Sequence, residues 1–171
     1  MVMGDAAVVL LSFAGMEGVS YLAHRFLMHG PGIGWHRSHH APPAGARWET
    51  NDLFPVVFAA GTVLAMAAGT SLPGLRTLFV AGVGVTLYGA AYLFVHELYI
   101  HARLGHVPRI GLFERLKDAH RVHHLYGGEP FGMLLPVVPR RLRVRAASRA
   151  TDPLARPRAP AFGSAPAGER G

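Results

Sequence analysis

The chain has 171 residues, the length of one domain; half are apolar and the mean hydropathy is +0.25, too oily for an ordinary soluble domain of this size. There is no cysteine, which excludes disulfides, cysteine-ligated iron–sulfur clusters and a thiolate-ligated haem, so any metal must be held by nitrogen and oxygen. The net charge of +7 is concentrated in residues 140–171, with eight arginines against two acids, whereas residues 1–139 carry nine basic residues against eight acids; this distribution argues against a nucleic-acid partner.

Val2–Ala23 is mostly apolar, with Asp5 and Glu17 inside it. It has no basic leading region and runs straight into a histidine motif, so it is expected to be a retained membrane helix rather than a cleaved signal peptide. His24–His40 follows, "HRFLMHGPGIGWHRSHH", with five histidines. Leu53–Ser71 is an uncharged apolar span. "SLPG" (71–74) is a turn, and Leu75–Val95 is a third apolar span whose single charge, Arg76, lies near its start. Each span is about 20 residues, enough to cross about 30 Å of hydrocarbon as a helix. Helices of a soluble bundle would carry a polar stripe, and the second and third spans do not.

The second and third spans form a hairpin, which brings both histidine-rich stretches to one side of the membrane. Arg25, Arg37 and Arg47 flank the first stretch, and the basic residues from Arg103 onward flank the second. By the positive-inside rule that side is cytoplasmic and the N-terminus lies outside. "FGMLLPVVP" (131–139) is too short to span and reads as an interfacial or re-entrant segment. "PRRLRVR" is placed to meet anionic lipid headgroups, and the Pro-, Ala- and Arg-rich residues 147–171 read as a disordered tail. The expected fold is thus all-α: a polytopic membrane helix bundle over residues 1–146, with a cytoplasmic helical cap carrying the histidines.

Ten of the eleven histidines fall into four boxes. His24 and His29 are five residues apart, as are His96 and His101; His36, His39 and His40 form an HxxHH box, as do His120, His123 and His124. On a helix the three histidines of an HxxHH box lie within about 100° of arc and can converge. Positions i and i+5 differ by about 140° on a straight α-helix. The wide boxes therefore need either a helix end between their members or a second ion. Gly30-Pro31 and Gly105 offer such ends.

A histidine tract that only scavenges metal is compact and low in complexity, whereas this pattern is divided by a histidine-free stretch from 41 to 95 and keeps its spacing. Ten neutral imidazoles suit two ions of iron, zinc, copper or nickel, with a position left open. Glu49, Asp52, Glu97, Glu114 and Asp118 are candidates to hold the outward ring nitrogens. His106 lies outside the boxes. Glu17, an acid within a span, is either a functional group or a helix–helix hydrogen bond, the latter being favoured. Tyr88, Tyr92, Phe94 and Tyr99 either line a substrate channel or pack between helices.

The boxes "HRFLMH", "HRSHH", "HELYIH" and "HRVHH" resemble those of the membrane fatty-acid hydroxylase superfamily. With "GMEG", "NDLF", "VVFAA", "YGAAY" and "VPR", residues 10–135 are similar to the bacterial β-carotene hydroxylases within it. The resemblance implies a non-haem diiron monooxygenase that uses O₂ to hydroxylate the 3 and 3′ carbons of β-ionone rings, converting β-carotene through β-cryptoxanthin to zeaxanthin. It implies a carotenoid substrate taken from the bilayer, and electrons from reduced ferredoxin and its reductase. The chain shows no flavin or dinucleotide fingerprint, consistent with an external electron donor. Arg103, Arg109, Arg115, Lys117 and Arg121 form a basic face suited to an acidic partner or to lipid. The alternatives are an oxygenase of fatty acyl, sterol or keto-carotenoid substrates, and a non-enzymatic membrane metal-binding protein.

Overall fold

The computed structural model describes residues 2–41, 48–105, 107–148 and 153–154, and all of its regular elements are helical. They are α1 (Val2–Leu22), a π-helical segment (Ala23–Met28), α2 (Ile33–His40), a 3₁₀ turn (Thr50–Asp52), α3 (Leu53–Ser71), α4 (Arg76–Tyr92), a second π-helical segment (Leu93–Ile100), α5 (Gly111–Tyr126) and α6 (Arg140–Ala147).

Three stretches are long and apolar enough to cross a membrane: Gly4–Met28, Thr50–Ser71 and Arg76–Ile100. Their outward faces are greasy, with Leu10, Leu11 and Leu64 68%, 73% and 71% exposed, which suits a hydrocarbon solvent and not water. The α3–α4 hairpin turns through Leu72-Pro73-Gly74, with Gly74 in the left-handed region at φ 81°.

α1 and α4 run parallel. The Arg76 guanidinium makes two 2.7 Å hydrogen bonds to the Asp5 carboxylate at their N-terminal ends. Seventy-one positions also separate Glu17 from Tyr88, whose hydroxyl donates to Glu17 at 2.7 Å. Gly84 permits this approach, because a Cβ there would meet the Val9 carbonyl oxygen and the Ser12 side chain. The wide histidine boxes therefore leave the apolar layer side by side.

Residues 131–139 form no regular element. Glu17 holds their first part, accepting hydrogen bonds from the backbone N–H groups of Met133, Leu134 and Leu135 at 2.8–3.1 Å. Seven residues of helix separate Glu17 from His24, about 10 Å at 1.5 Å per residue, so this segment packs alongside the apolar stretch Gly4–Met28. Met133 joins Val95, Tyr99, Ile100, Leu116 and Leu154 in the apolar cluster beside the histidines. Leu154, in the stretch read from sequence as disordered, is buried there; residues 149–152 and 155–171 lie outside the described residues.

Candidate metal centre

Each wide box starts on a π-helical segment and ends at its C-cap, His29 or His101. The His29 N–H donates to the His24 carbonyl and the His101 N–H to the His96 carbonyl, both at 3.0 Å, closing i→i+5 turns. Neither a helix end between the two histidines nor a separate ion is needed. The wider turn lets i and i+5 share a side, and the ring centroids approach to 5.1 Å for His24–His29 and 4.8 Å for His96–His101. The first segment closes against a tight turn at Gly30, where a Cβ would lie on the Phe26 carbonyl oxygen.

The two HxxHH boxes sit on α2 and α5, and their members do not all converge on one point. His36 and His40 turn toward the first wide box, and His120 and His124 toward the second. The middle histidines cross over. His39 joins His96, His101 and His120, and His123 joins His24, His29, His36 and His40. On α2, residues i and i+4 are about 40° apart while i+3 lies beyond them, so a helix placed between two points divides its box.

In the first set, Nε2 atoms face one another at 3.1 Å for His24–His36, His36–His40 and His29–His123, and at 3.2 Å for His40–His123. In the second, the separations are 3.1 Å for His39–His96, 3.0 Å for His101–His120 and 3.4 Å for His39–His120. His124 Nε2 lies 2.9 Å from His120 and 3.2 Å from His39. The sets adjoin, with the His40 and His124 rings stacked at 4.5 Å. His106 is outside the described residues.

Close Nε2 pairs would be ordinary hydrogen bonds if one nitrogen carried the proton. Several cannot. His24 Nδ1–H donates to the Phe131 carbonyl at 3.0 Å, His36 Nδ1–H to Asn51 Oδ1 at 2.8 Å, and His123 Nδ1–H to the Gly128 carbonyl at 2.6 Å. His96 Nδ1–H donates to Glu97 Oε1 at 2.7 Å. Each acceptor fixes the proton on Nδ1 and leaves Nε2 as a bare lone pair. Lone pairs 3.1 Å apart, as in His24–His36, repel unless a cation lies between them. Donors about 2.1 Å from one ion are themselves about 3.0–3.4 Å apart, the spacing seen here. Both sets therefore fit a metal ion.

The protonation states agree. Burial pushes His36 down to about 3 and His40 to about 4 from an ordinary 6.5, and holds His39 and His120 well below it. These four rings are thus neutral at physiological pH, the form that binds metal.

Arg103 organises the outer face of the second set. Its guanidinium contacts Asp52 at 2.7 Å, Glu97 Oε2 at 3.0 Å and Glu49 Oε1 at 3.2 Å. Glu97 accepts from His96, and Glu49 Oε2 stands 3.5 Å from His39 Nδ1. Of the five acids singled out in the sequence, Glu49, Asp52 and Glu97 belong to this network. Glu114 accepts from the Tyr99 hydroxyl, and Asp118 is exposed on α5. Arg103 is clamped by three carboxylates and cannot belong to a docking face. Tyr88 and Tyr99 are buried in polar contacts between elements, as packing groups.

Sequence reasoning missed Asn51, the π turns and the role of Phe131, whose ring packs 5.2–5.4 Å from His24, His29 and His123. The i,i+5 spacing, written twice, was the available signal for the π turns. Asn51 lies within the "NDLF" stretch.

Residues 9–142 match the fatty acid hydroxylase family model. The chain is 43% identical over 127 residues to a β-carotene hydroxylase of Pantoea ananas, covering 73% of this chain and 71% of that one. It is 40% identical over 125 residues to a β-carotene hydroxylase of Paracoccus sp. (strain PC1), covering 71% and 75% respectively. It is 40% identical over 142 residues to a chloroplastic β-carotene 3-hydroxylase of Haematococcus lacustris, covering 78% of this chain and 44% of the relative. No solved structure matches the chain. The chain belongs to the fatty acid hydroxylase family.

Proposed function

We propose that this family member is a β-carotene hydroxylase whose ten boxed histidines hold two iron ions. The overall reaction at each ring is R–H + O₂ + 2e⁻ + 2H⁺ → R–OH + H₂O, at the 3 and 3′ carbons, giving β-cryptoxanthin and then zeaxanthin. The observation that carries this reading is the pair of adjoining Nε2 sets at the ends of apolar helices, in a chain similar to β-carotene hydroxylases over most of its length. A diiron centre supplies O₂ activation, which no protein side chain provides for an unactivated C–H bond.

The chain's own residues supply position and surroundings. The ligand set is His24, His29, His36, His40 and His123 for one ion, and His39, His96, His101, His120 and His124 for the other. Phe131, Asn51, Gly128 and Glu97 fix the Nδ1 protons and so aim the Nε2 lone pairs inward. The site lies at the ends of apolar spans, so a carotenoid can reach it from the bilayer without crossing water. Membrane topology follows the arginines: histidines and C-terminal side in the cytoplasm, N-terminus outside. Electrons come from reduced ferredoxin and its reductase, and Arg109 and Arg115, both exposed, remain available for an acidic partner.

Expression in a host that accumulates β-carotene tests the assignment. Zeaxanthin and β-cryptoxanthin are the expected pigments. Unchanged pigment with hydroxylated lipids would move the substrate class to acyl chains or sterols. Unchanged pigment without O₂ consumption would leave a metal-binding protein.

A further inference from the structure

The two histidine sets repeat one ligand pattern, but what stands behind them differs. Behind the first set the Nδ1–H groups of His24, His123 and His36 meet neutral oxygens: the Phe131 and Gly128 carbonyls and the Asn51 side-chain amide. Behind the second they are carboxylates, Glu97 at 2.7 Å from His96 and Glu49 at 3.5 Å from His39. Arg103 grips both acids together with Asp52, and all three acids are buried. The first set is also somewhat more open, since His29 and His40 are half-buried, against His124 alone in the second, where His39, His96, His101 and His120 are buried.

We propose that the two metal positions are unequal: the set built on His39, His96, His101 and His120 fills first and holds its ion more tightly, with Glu49, Glu97 and Arg103 as its positioning residues. A carboxylate accepting the Nδ1 proton makes an imidazole more basic at Nε2 and adds negative charge near the ion. A carbonyl does this weakly. Loss of such an outer partner typically costs 10–100-fold in metal affinity. Arg103 keeps the acids in place without removing their charge, because one guanidinium is shared among three carboxylates. The inference rests on reading the sets as ion sites and is independent of the carotenoid assignment.

The test is anaerobic titration of the purified, metal-stripped full chain in detergent with Co²⁺, followed by absorbance and by bound metal per chain. Wild type should load in two resolved steps. His120→Ala should lose the tighter step, and His36→Ala should keep it. Glu97→Gln, which retains a neutral acceptor for His96, should weaken the tighter step about 10–100-fold and bring the two steps together. Asn51→Asp, which puts a carboxylate behind His36, should tighten the weaker step; this gain keeps the proposal testable even if Glu97→Gln fails to fold. Two equal ions in wild type, loss of the tighter step in His36→Ala, or no tightening in Asn51→Asp would each overturn it. A chain that binds no Co²⁺ would overturn the ion-site reading as well. Unequal loading without zeaxanthin in the host would sink only the substrate assignment.

Discussion

The two histidine-bearing halves differ in a way their boxes conceal. In each, a parallel apolar helix opens into a π turn carrying His-x₄-His, and a short helix carries HxxHH. Each half also lends its middle histidine to the other. Yet the first half leans on backbone carbonyls, Asn51 and the Phe131 ring, while the second leans on a buried cluster of acids around Arg103. Repetition of ligands does not carry repetition of surroundings. Ligand spacing follows helix geometry within a few turns, whereas the outer partners come from whichever distant segment packs there.

The exchange of His39 and His123 predicts the largest effects. Because each middle histidine serves the opposite ion, His39→Ala and His123→Ala should each abolish zeaxanthin formation while the chain still enters the membrane. By metal analysis His39→Ala should lose the ion of the second set and His123→Ala that of the first. His106→Ala, outside the boxes, should keep at least partial activity. An inactive His106→Ala beside an active boxed variant would break the ligand assignment.

The π-turn exits separate the halves next. Gly30 meets the Phe26 carbonyl, so Gly30→Ala must move backbone. Displacing a ligand by about 1 Å can cost about 10²-fold in rate. Activity should fall by about that factor, with one ion per chain retained, that of the second set. The corresponding exit uses Ala102 at φ 48°, where glycine is at ease, so Ala102→Gly should leave both ions and activity intact.

Much of this architecture was legible in the sequence because it is governed by local periodicity. The three apolar spans, the Pro73-Gly74 turn and the parallel exit of the wide boxes follow from hydropathy, length and breaker residues. The convergence of ten histidines was legible from spacing and from the hairpin. The sharing-out of each HxxHH box was not, because it depends on where α2 and α5 sit relative to two points in space. Arg103 read as surface charge, since nothing local announces that Glu49, Asp52 and Glu97 will surround it. The grip of Glu17 on three consecutive N–H groups depended on a contact 116 residues distant in the chain.

Acid should strip the two sets in order. A histidine whose folded value lies below 6.5 takes up a proton more readily in the unfolded chain, so stability and ion binding are complete above about pH 6.5 and decline as pH falls. Burial pushes His40 down to about 4 and lowers His29 too, whereas deeper burial holds His39 and His120 well below 6.5. The metal-free chain should lose stability progressively as pH falls below 6.5 and these histidines take up protons. In the loaded chain the first set's ion should leave first as pH falls, because its His29 and His40 are the more exposed, measured as metal retained after brief dialysis at stepped pH. Simultaneous release would erase the predicted difference.

Glu17 gives the smallest and most selective effect. Its carboxylate touches no histidine. It acts through the Met133–Leu135 backbone, and so through Phe131, whose carbonyl and ring bear on His24, His29 and His123. Glu17→Leu would leave three N–H groups and the Tyr88 hydroxyl without their acceptor inside an apolar layer, at about 1–3 kcal/mol per group, and is expected to fold poorly. Glu17→Gln keeps the shape and one acceptor oxygen but replaces the other with a donor facing donors. A net loss of about 1–2 kcal/mol would lower the melting temperature by about 2–8 °C. It should weaken only the first set's ion, leave the second set's affinity at the wild-type value, and reduce activity by less than Gly30→Ala. Equal weakening of both ions would mean that Glu17 supports the bundle as a whole, and that segment 131–139 does not single out one of the two positions.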